Sequence, residues 1–197
     1  MRRSIFTAIL AAAVFTAASA QAEECVMEKA VFGAGCFWGV QKVFGELEGV
    51  VSTQVGYTGG KLKNPTYDQV CYSDTGHAEA IEITFDPARI SYRKLLEVFW
   101  THHDPTTLNR QGNDVGSQYR SAIFYQTPSQ KAAAEETLRL LDRSGIFKDP
   151  ITTEIAPAET FYRAEEYHQN YLRKNPNGYC HILYQSQKIS ELLQASK

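Results

Sequence analysis

A cysteine placed to open a helix is the first candidate for chemistry in this 197-residue sequence. Cys36 stands in Gly33-Ala34-Gly35-Cys36-Phe37-Trp38-Gly39, between a short apolar run and a helical pattern. Unpaired N–H groups at a helix start, with the positive end of the dipole, favour thiolate over thiol. A thiol that merely fills space in the core is the alternative. The glycines do not make a dinucleotide fingerprint, because Trp38 stands where glycine or alanine is needed and residues 50–57 supply no acid. Phe37 and Trp38 cannot both point inward along one helical stripe. One of them is expected to line an apolar cup beside the thiol, and two core aromatics are the alternative.

Glu79 is the second candidate. Residues 78–85 alternate, which puts Glu79 on the face of Ile81, Ile83 and Phe85. A carboxyl among apolar neighbours resists ionising, so its pKa should rise toward the range of a general acid. If the strand begins only at Ala80, Glu79 is solvated instead. Tyr67 and Tyr119 sit in two polar stretches where tyrosine has little packing reason to be, and phenolic hydroxyls can donate to a developing oxyanion. With eleven tyrosines in the chain, chance placement is the competing reading. Asp114 can orient such a group or simply make a turn. Cys180 follows the turn-rich Asn175-Pro176-Asn177-Gly178. A thiol there can reach another after oxidation if their Cα atoms approach within about 7 Å, and a static disulfide would require the same approach. Cys71 reads as a buried inert thiol and Cys25 as incidental.

The four cysteines include no Cys-x-x-Cys pair, which argues against a zinc site or a thioredoxin-like motif. Histidines 77, 102, 103, 168 and 181 lack metal-ligand spacing and read as surface or hydrogen-bonded groups. Neither a metal nor another cofactor is expected. The first 22 residues read as a signal peptide: Arg2-Arg3, an apolar run over 5–17, then small residues that suit cleavage near Ala20 or Ala22. A lipid anchor on Cys25 is disfavoured by Glu23 and Glu24 directly before it. The expected location is therefore periplasmic or secreted. Loss of Arg2 and Arg3 would take the net charge from −2 to about −4, with no basic stripe left. Nucleic acid and membrane are accordingly not expected as partners of the mature chain, and a monomer is. A content of 43% hydrophobic and 12% aromatic residues suits one folded domain over 23–197, with its core about 28–180.

The elements that must position these residues follow from periodicity. A buried strand is predicted over 29–33. Val40, Val43, Phe44 and Leu47 mark a helix ended by Gly49, and β-branched residues mark a strand over 50–57. Residues 58–76 lapse into an irregular stretch before the alternating strand. Ser91 caps a second helix with Tyr92, Leu95, Leu96 and Phe99 inward, stopped by Asp104-Pro105. A polar loop over 106–118 precedes a strand over 121–125. Thr127-Pro128-Ser129-Gln130 reads as a capping box for a helix running to Gly145. A strand over 151–155, a short aromatic helix over 161–172 and a last amphipathic piece with Ile189, Leu192 and Leu193 complete the reading. Strand, helix, strand, strand, helix, strand points to an α+β fold, a ferredoxin-like α/β sandwich with long functional loops and an irregular C-terminal tail.

The chain also resembles a known family, the A-type peptide-methionine sulfoxide reductases. The match runs through Gly35-Cys36-Phe37-Trp38-Gly39, Gly56-Tyr57-Thr58-Gly59-Gly60, Tyr67 to Cys71, and Gly76-His77-Ala78-Glu79. It continues in His103-Asp104-Pro105-Thr106, in Asp114 to Ser121, and in Glu166-Tyr167-His168-Gln169. The resemblance implies that Cys36 attacks the sulfoxide sulfur while Glu79 protonates the oxygen, helped by Tyr67 and Tyr119. It implies that Phe37 and Trp38 hold the substrate methyl group, with Asp114 among the substrate-binding residues. It further implies a Cys36 sulfenic acid, condensation with Cys180 to a disulfide, and reduction by thioredoxin or a thioredoxin-like partner. The family's substrates are the S epimer of methionine sulfoxide in oxidised proteins and as the free amino acid. Some relatives carry a further recycling cysteine, but residues 182–197 contain none. The rival readings are a thiol peroxidase, a cysteine hydrolase, and a non-catalytic exported domain with structural disulfides.

Overall fold

The computed structural model describes residues 26–179 and 187–195. The segment read as a signal peptide, Cys25, Cys180 and His181 lie outside the described residues. In chain order the elements are β1 (Glu28–Ala34), α1 (Phe37–Gly45), β2 (Val50–Thr58), α2 (Tyr67–Tyr72), β3 (Ala78–Phe85) and α3 (Tyr92–Thr101). Then come β4 (Arg110–Gln111), β5 (Asp114–Val115), a 3-10 turn (Ser117–Tyr119), β6 (Ser121–Tyr125) and α4 (Pro128–Ser144). The last are β7 (Glu154–Pro157), β8 (Tyr162–Arg163), α5 (Tyr171–Lys174) and α6 (Gln187–Ala195).

The main sheet has the order β7-β6-β1-β3-β2-β8. Its inner four strands are mutually antiparallel, with Phe32 paired to Ile81 on one side and Ile123 on the other. With α1 and α3 as the crossovers, this is the ferredoxin-like α+β arrangement expected from the element order. β1 is buried from Ala30 onward because it lies between two strands with both faces covered. One face, carrying Phe32, Ile81, Ile83 and Phe85, joins Phe44, Leu95, Phe99, Trp100, Leu141 and Ile189 in the principal core. The other carries small residues, Ala78, Ala80 and Ala122, under Phe124 and Phe161. The final amphipathic segment docks as α6, burying Ile189 and Leu193 and donating from Ser190 and Gln194 to the Glu97 carboxylate.

Several local expectations need correction. α1 stops at Gly45, and Gly49 instead lies in the turn to β2. The stretch over 58–76 contains α2, closed by a reciprocal capping box between Thr66 and Gln69. It lacks an apolar stripe, since Val70 is its sole buried residue, so periodicity misses it. The polar loop over 106–118 folds as the β4–β5 hairpin running into the 3-10 turn. Thr127 does cap α4, and Gly145 ends it in the left-handed region, but the return arm of the box lands on Gln126 N–H. Gln130 is drawn there because its amide also donates to Lys29 O, tying α4 to β1. The strand expected at 151–155 is shifted to β7, parallel to β6.

The largest departure is at residues 161–172, which form no continuous helix. They make β8, a series of turns, and only the start of α5. Their backbone groups are drawn to the edge of β2 instead. Beyond the short β8 pairing, the Gln169 side chain accepts from Val55 N–H and donates to Val55 O and Ala164 O. A side-chain amide thus pairs with the strand as another backbone would.

That edge leaves no room at Gly56, where an added Cβ would meet the Tyr162 carbonyl and the Phe161 ring. Gly56→Ala is expected to lower stability by about 1–3 kcal/mol through overpacking. Urea unfolding measures it, and an unchanged midpoint would mean that the segment yields without cost.

Candidate active site

Cys36 lies at the N-cap of α1, immediately after Gly35, whose φ of +84° lets β1 turn sharply into the helix. The thiol is mostly buried. The next residue supplies the contact that organises the site: Phe37 N–H donates to Glu79 Oε2 at 3.0 Å. β3 begins at Ala78, so Glu79 belongs to the strand and is only 2% exposed. Burial pushes its carboxyl up to about 8, against the lowering effect of the Phe37 hydrogen bond and with a further rise from the charge of Asp114. The carboxyl thus keeps its proton at neutral pH.

Tyr67 is the first residue of α2, and Tyr119 is the last of the 3-10 turn. Burial raises both phenols, and the Glu79 charge raises them further, so both stay protonated donors. Tyr119 is within electrostatic reach of Cys36, Glu79, Cys71 and Asp114. The expected residues Cys36, Glu79, Tyr67, Tyr119 and Asp114 therefore converge on one place, although the chain delivers them from five separate elements. Cys71 is half-buried and hydrogen-bonded to Tyr67 one turn earlier, and burial pushes its thiol up. Tyr179 donates to Asp114 Oδ2 at 3.3 Å, which brings the residue before Cys180 to the same place.

The two aromatics after Cys36 separate as their spacing requires. Phe37 is buried among Tyr57, Val55, Val70 and Ala164, while Trp38 is half-buried. Trp38 stacks on Tyr171 with ring centroids 3.8 Å apart and donates from Nε1 to His168 Nδ1 at 3.0 Å. His168 is completely enclosed, between the rings of Phe37, Tyr67 and Tyr167, and burial lowers its pKa toward the neutral form. It is a hydrogen-bonded histidine, not a surface one.

Glu165 and Tyr171 are site residues that sequence reasoning does not name, while Tyr57 and His168 enter it as motif members with no catalytic or binding role assigned. Glu165 Oε2 accepts from Tyr57 Oη and its Oε1 from Tyr67 N–H, both at 2.9 Å. Burial would raise this carboxyl, but hydrogen bonds from the Tyr67 N–H, its own N–H and the Tyr57 hydroxyl hold it below the ordinary carboxylate range. The only signal in the sequence is position, since Glu165 directly precedes the motif over 166–169. His77 pins the loop after β2, accepting from Gly60 N–H through Nδ1 and bonding Leu62 O through Nε2. Among the described residues no group of three or more His, Cys, Asp or Glu side chains is disposed to hold a metal ion.

Comparison with known proteins gives one consistent result. Residues 28–196 match the family model described as peptide methionine sulfoxide reductase. A relative named peptide methionine sulfoxide reductase MsrA, from Methanothermobacter thermautotrophicus, is 62% identical over 156 residues, 79% of this chain and 92% of its own length. Mxr1 from Saccharomyces cerevisiae in reduced form superposes with a TM-score of 0.77 at 31% identity, covering 86% of this chain and 98% of that one. The Mxr1 complex with Trx2 superposes at 0.56 with 19% identity, covering 86% and 97%, a likeness of fold.

The state of Glu79 can be read from stability. A carboxyl that ionises near 4.5 when unfolded but only near 8 when folded stabilises the fold fully at low pH. That contribution is lost as pH rises through about 8. Glu79→Gln, which is always neutral, should therefore gain stability relative to wild type between about pH 5 and about pH 9, as followed by urea unfolding. A pH-independent difference would place Glu79 in the ordinary carboxylate range.

Proposed function

Because the chain belongs to the peptide methionine sulfoxide reductase family, we propose that it reduces methionine S-sulfoxide to methionine, in oxidised proteins and as the free amino acid. The observation that carries this reading is the pairing of a thiol with a protonated acid that is hydrogen-bonded to the very next amide. A sulfoxide oxygen leaves poorly until it is protonated, and Glu79 holds its proton at neutral pH while hydrogen-bonded to the amide that follows Cys36. Cys36 Sγ attacks the sulfoxide sulfur, and Glu79 delivers its proton to the oxygen, which also accepts from the Tyr67 and Tyr119 hydroxyls. Phe37 and Trp38 receive the methyl group, with Trp38 as the accessible wall and Asp114 at the rim.

The protonated oxygen passes from the substrate sulfur to Cys36 Sγ, so the substrate S–O bond breaks, methionine departs reduced and Cys36 is left oxidised as a sulfenic acid. The Cys180 thiol then attacks that sulfur, forming a Cys36–Cys180 disulfide and releasing water. A dithiol of thioredoxin type reduces the disulfide by exchange and is itself oxidised. The contact of Tyr179 with Asp114 supports this order, because it brings the chain to the site one residue before Cys180. The yeast relative solved with Trx2 supports the choice of partner.

Glu79→Gln should lower kcat/KM for dabsyl-methionine sulfoxide on the order of 10²–10⁴-fold. The wild-type rate should fall as pH rises through about 8, and the Glu79→Gln variant should lack that fall. An unchanged rate removes Glu79 from the mechanism, and faster loss of hydrogen peroxide than of sulfoxide would make the protein a peroxidase. Cys180→Ser should release one methionine per enzyme and then stop, as followed by product counting with thioredoxin present. Sustained turnover would exclude Cys180 as the recycling thiol.

A further inference from the structure

We infer that Glu165 is a positioning residue for the reduction, a carboxylate that holds Tyr67 in place by its backbone. The inference rests on the role given above to the Tyr67 hydroxyl. α2 is six residues long with a single buried side chain, so little packing fixes it. Its capping box satisfies the amides of Thr66 and Gln69, and Val70 N–H reaches Thr66 O. The Tyr67 amide is not covered by that box. It is one of the orphan donors that every helix start leaves, and Glu165 Oε1 takes it at 2.9 Å.

The same carboxylate is itself fixed from the opposite side. Oε2 accepts from Tyr57 Oη at 2.9 Å, and Tyr57 is fully buried in β2, hydrogen-bonded into the sheet. Glu165 therefore transmits the position of a rigid strand to the first residue of a loosely held helix. His168, three residues on, supplies the other constraint, its ring lying 4.5 Å from the Tyr67 ring. His168 Nδ1 accepts from Trp38, so the ring proton is on Nε2, which finds no hydrogen-bond partner among the described residues and lies 4.0 Å from Glu165 Oε2. The carboxylate thus favours the histidine tautomer in which Trp38 can donate. Glutamine at 165 offers one acceptor oxygen where two are used, and aspartate is one methylene short.

The test is a double-mutant cycle on kcat and KM for dabsyl-methionine sulfoxide, with iodoacetamide alkylation of Cys36 as a check on the rest of the site. Glu165→Gln and Glu165→Asp should each lower kcat about tenfold through misplacement of Tyr67, with little change in KM or in the alkylation rate. In a Tyr67→Phe background the Glu165→Gln change should cost no more than about twofold further, because the group it positions is already gone. Tyr57→Phe, which keeps the carboxylate but removes its anchor on the strand, should lower kcat in the same direction as Glu165→Gln and by no more than that change does. If Tyr67→Phe alone leaves kcat unchanged, the role of Tyr67 fails and the inference with it. If Tyr67→Phe slows the reaction but both Glu165 variants match wild type, the inference alone is overturned. It is equally overturned if the effects multiply in the double mutant, or if the Glu165 variants alter Cys36 alkylation as much as kcat.

Discussion

Phe37 N–H lies 3.0 Å from Glu79 Oε2, and the site is built around the fact that this amide opens a helix while this carboxyl belongs to a strand. Cys36 is one covalent step from the donor, so the distance between thiol and acid is set by the main chain. The antiparallel register of β1 on β3 then fixes where the helix can start, because both elements leave the same sheet. Two physical effects oppose each other at this contact. The hydrogen bond favours a carboxylate, while exclusion of water favours the acid. Burial is the larger, and Asp114 adds to it, so a proton is retained where a charged acceptor would be useless.

The rest of the pocket keeps to the same protonation state. Tyr67 and Tyr119 stay as phenols, and His168 is pressed toward its neutral form by burial. Two charges persist beside these groups: that of Asp114, which pushes Glu79 further toward its acid form, and that of Glu165, which is held by three donors and turned toward the Tyr67 amide and Tyr57 rather than the thiol. Neutral donors facing the reacting atoms, with the Glu165 carboxylate kept behind them, form a preorganised arrangement for a developing negative oxygen.

What can be read from the residues depends on how local their signals are. Glu79 is legible because alternation over 78–85 is a period of two that survives without knowledge of neighbours, and the strand begins early enough to include it. Cys36 is legible because a helix start follows directly from glycine and the apolar spacing behind it. α2 is not, since a helix with one buried residue leaves no stripe to detect. Residues 161–172 mislead because their aromatics serve different partners rather than one face: Phe161 packs on the small-residue side of the sheet, Tyr162 meets His77, Tyr167 lies against His168 and Tyr171 stacks on Trp38. Glu165 is beyond reach for a plainer reason: its two partners are 108 and 98 positions away in the chain. The capping role of Thr127 is local and can be read, but the destination of the Gln130 arm depends on β1 lying alongside.

Gln169 has a consequence for how this architecture can vary. The wall carrying Glu165, His168 and Tyr171 is fastened beside β2 through the β8 pairing, the Ala164 N–H to Val55 O bond, the Tyr57–Glu165 bond and one primary amide. Asparagine would fall short of Val55, and glutamate would set a negative oxygen against two carbonyls. A position that any residue could fill within a true ladder has here become chemically exclusive, so drift along this edge is confined to the one side chain that carries both a donor and an acceptor at that length.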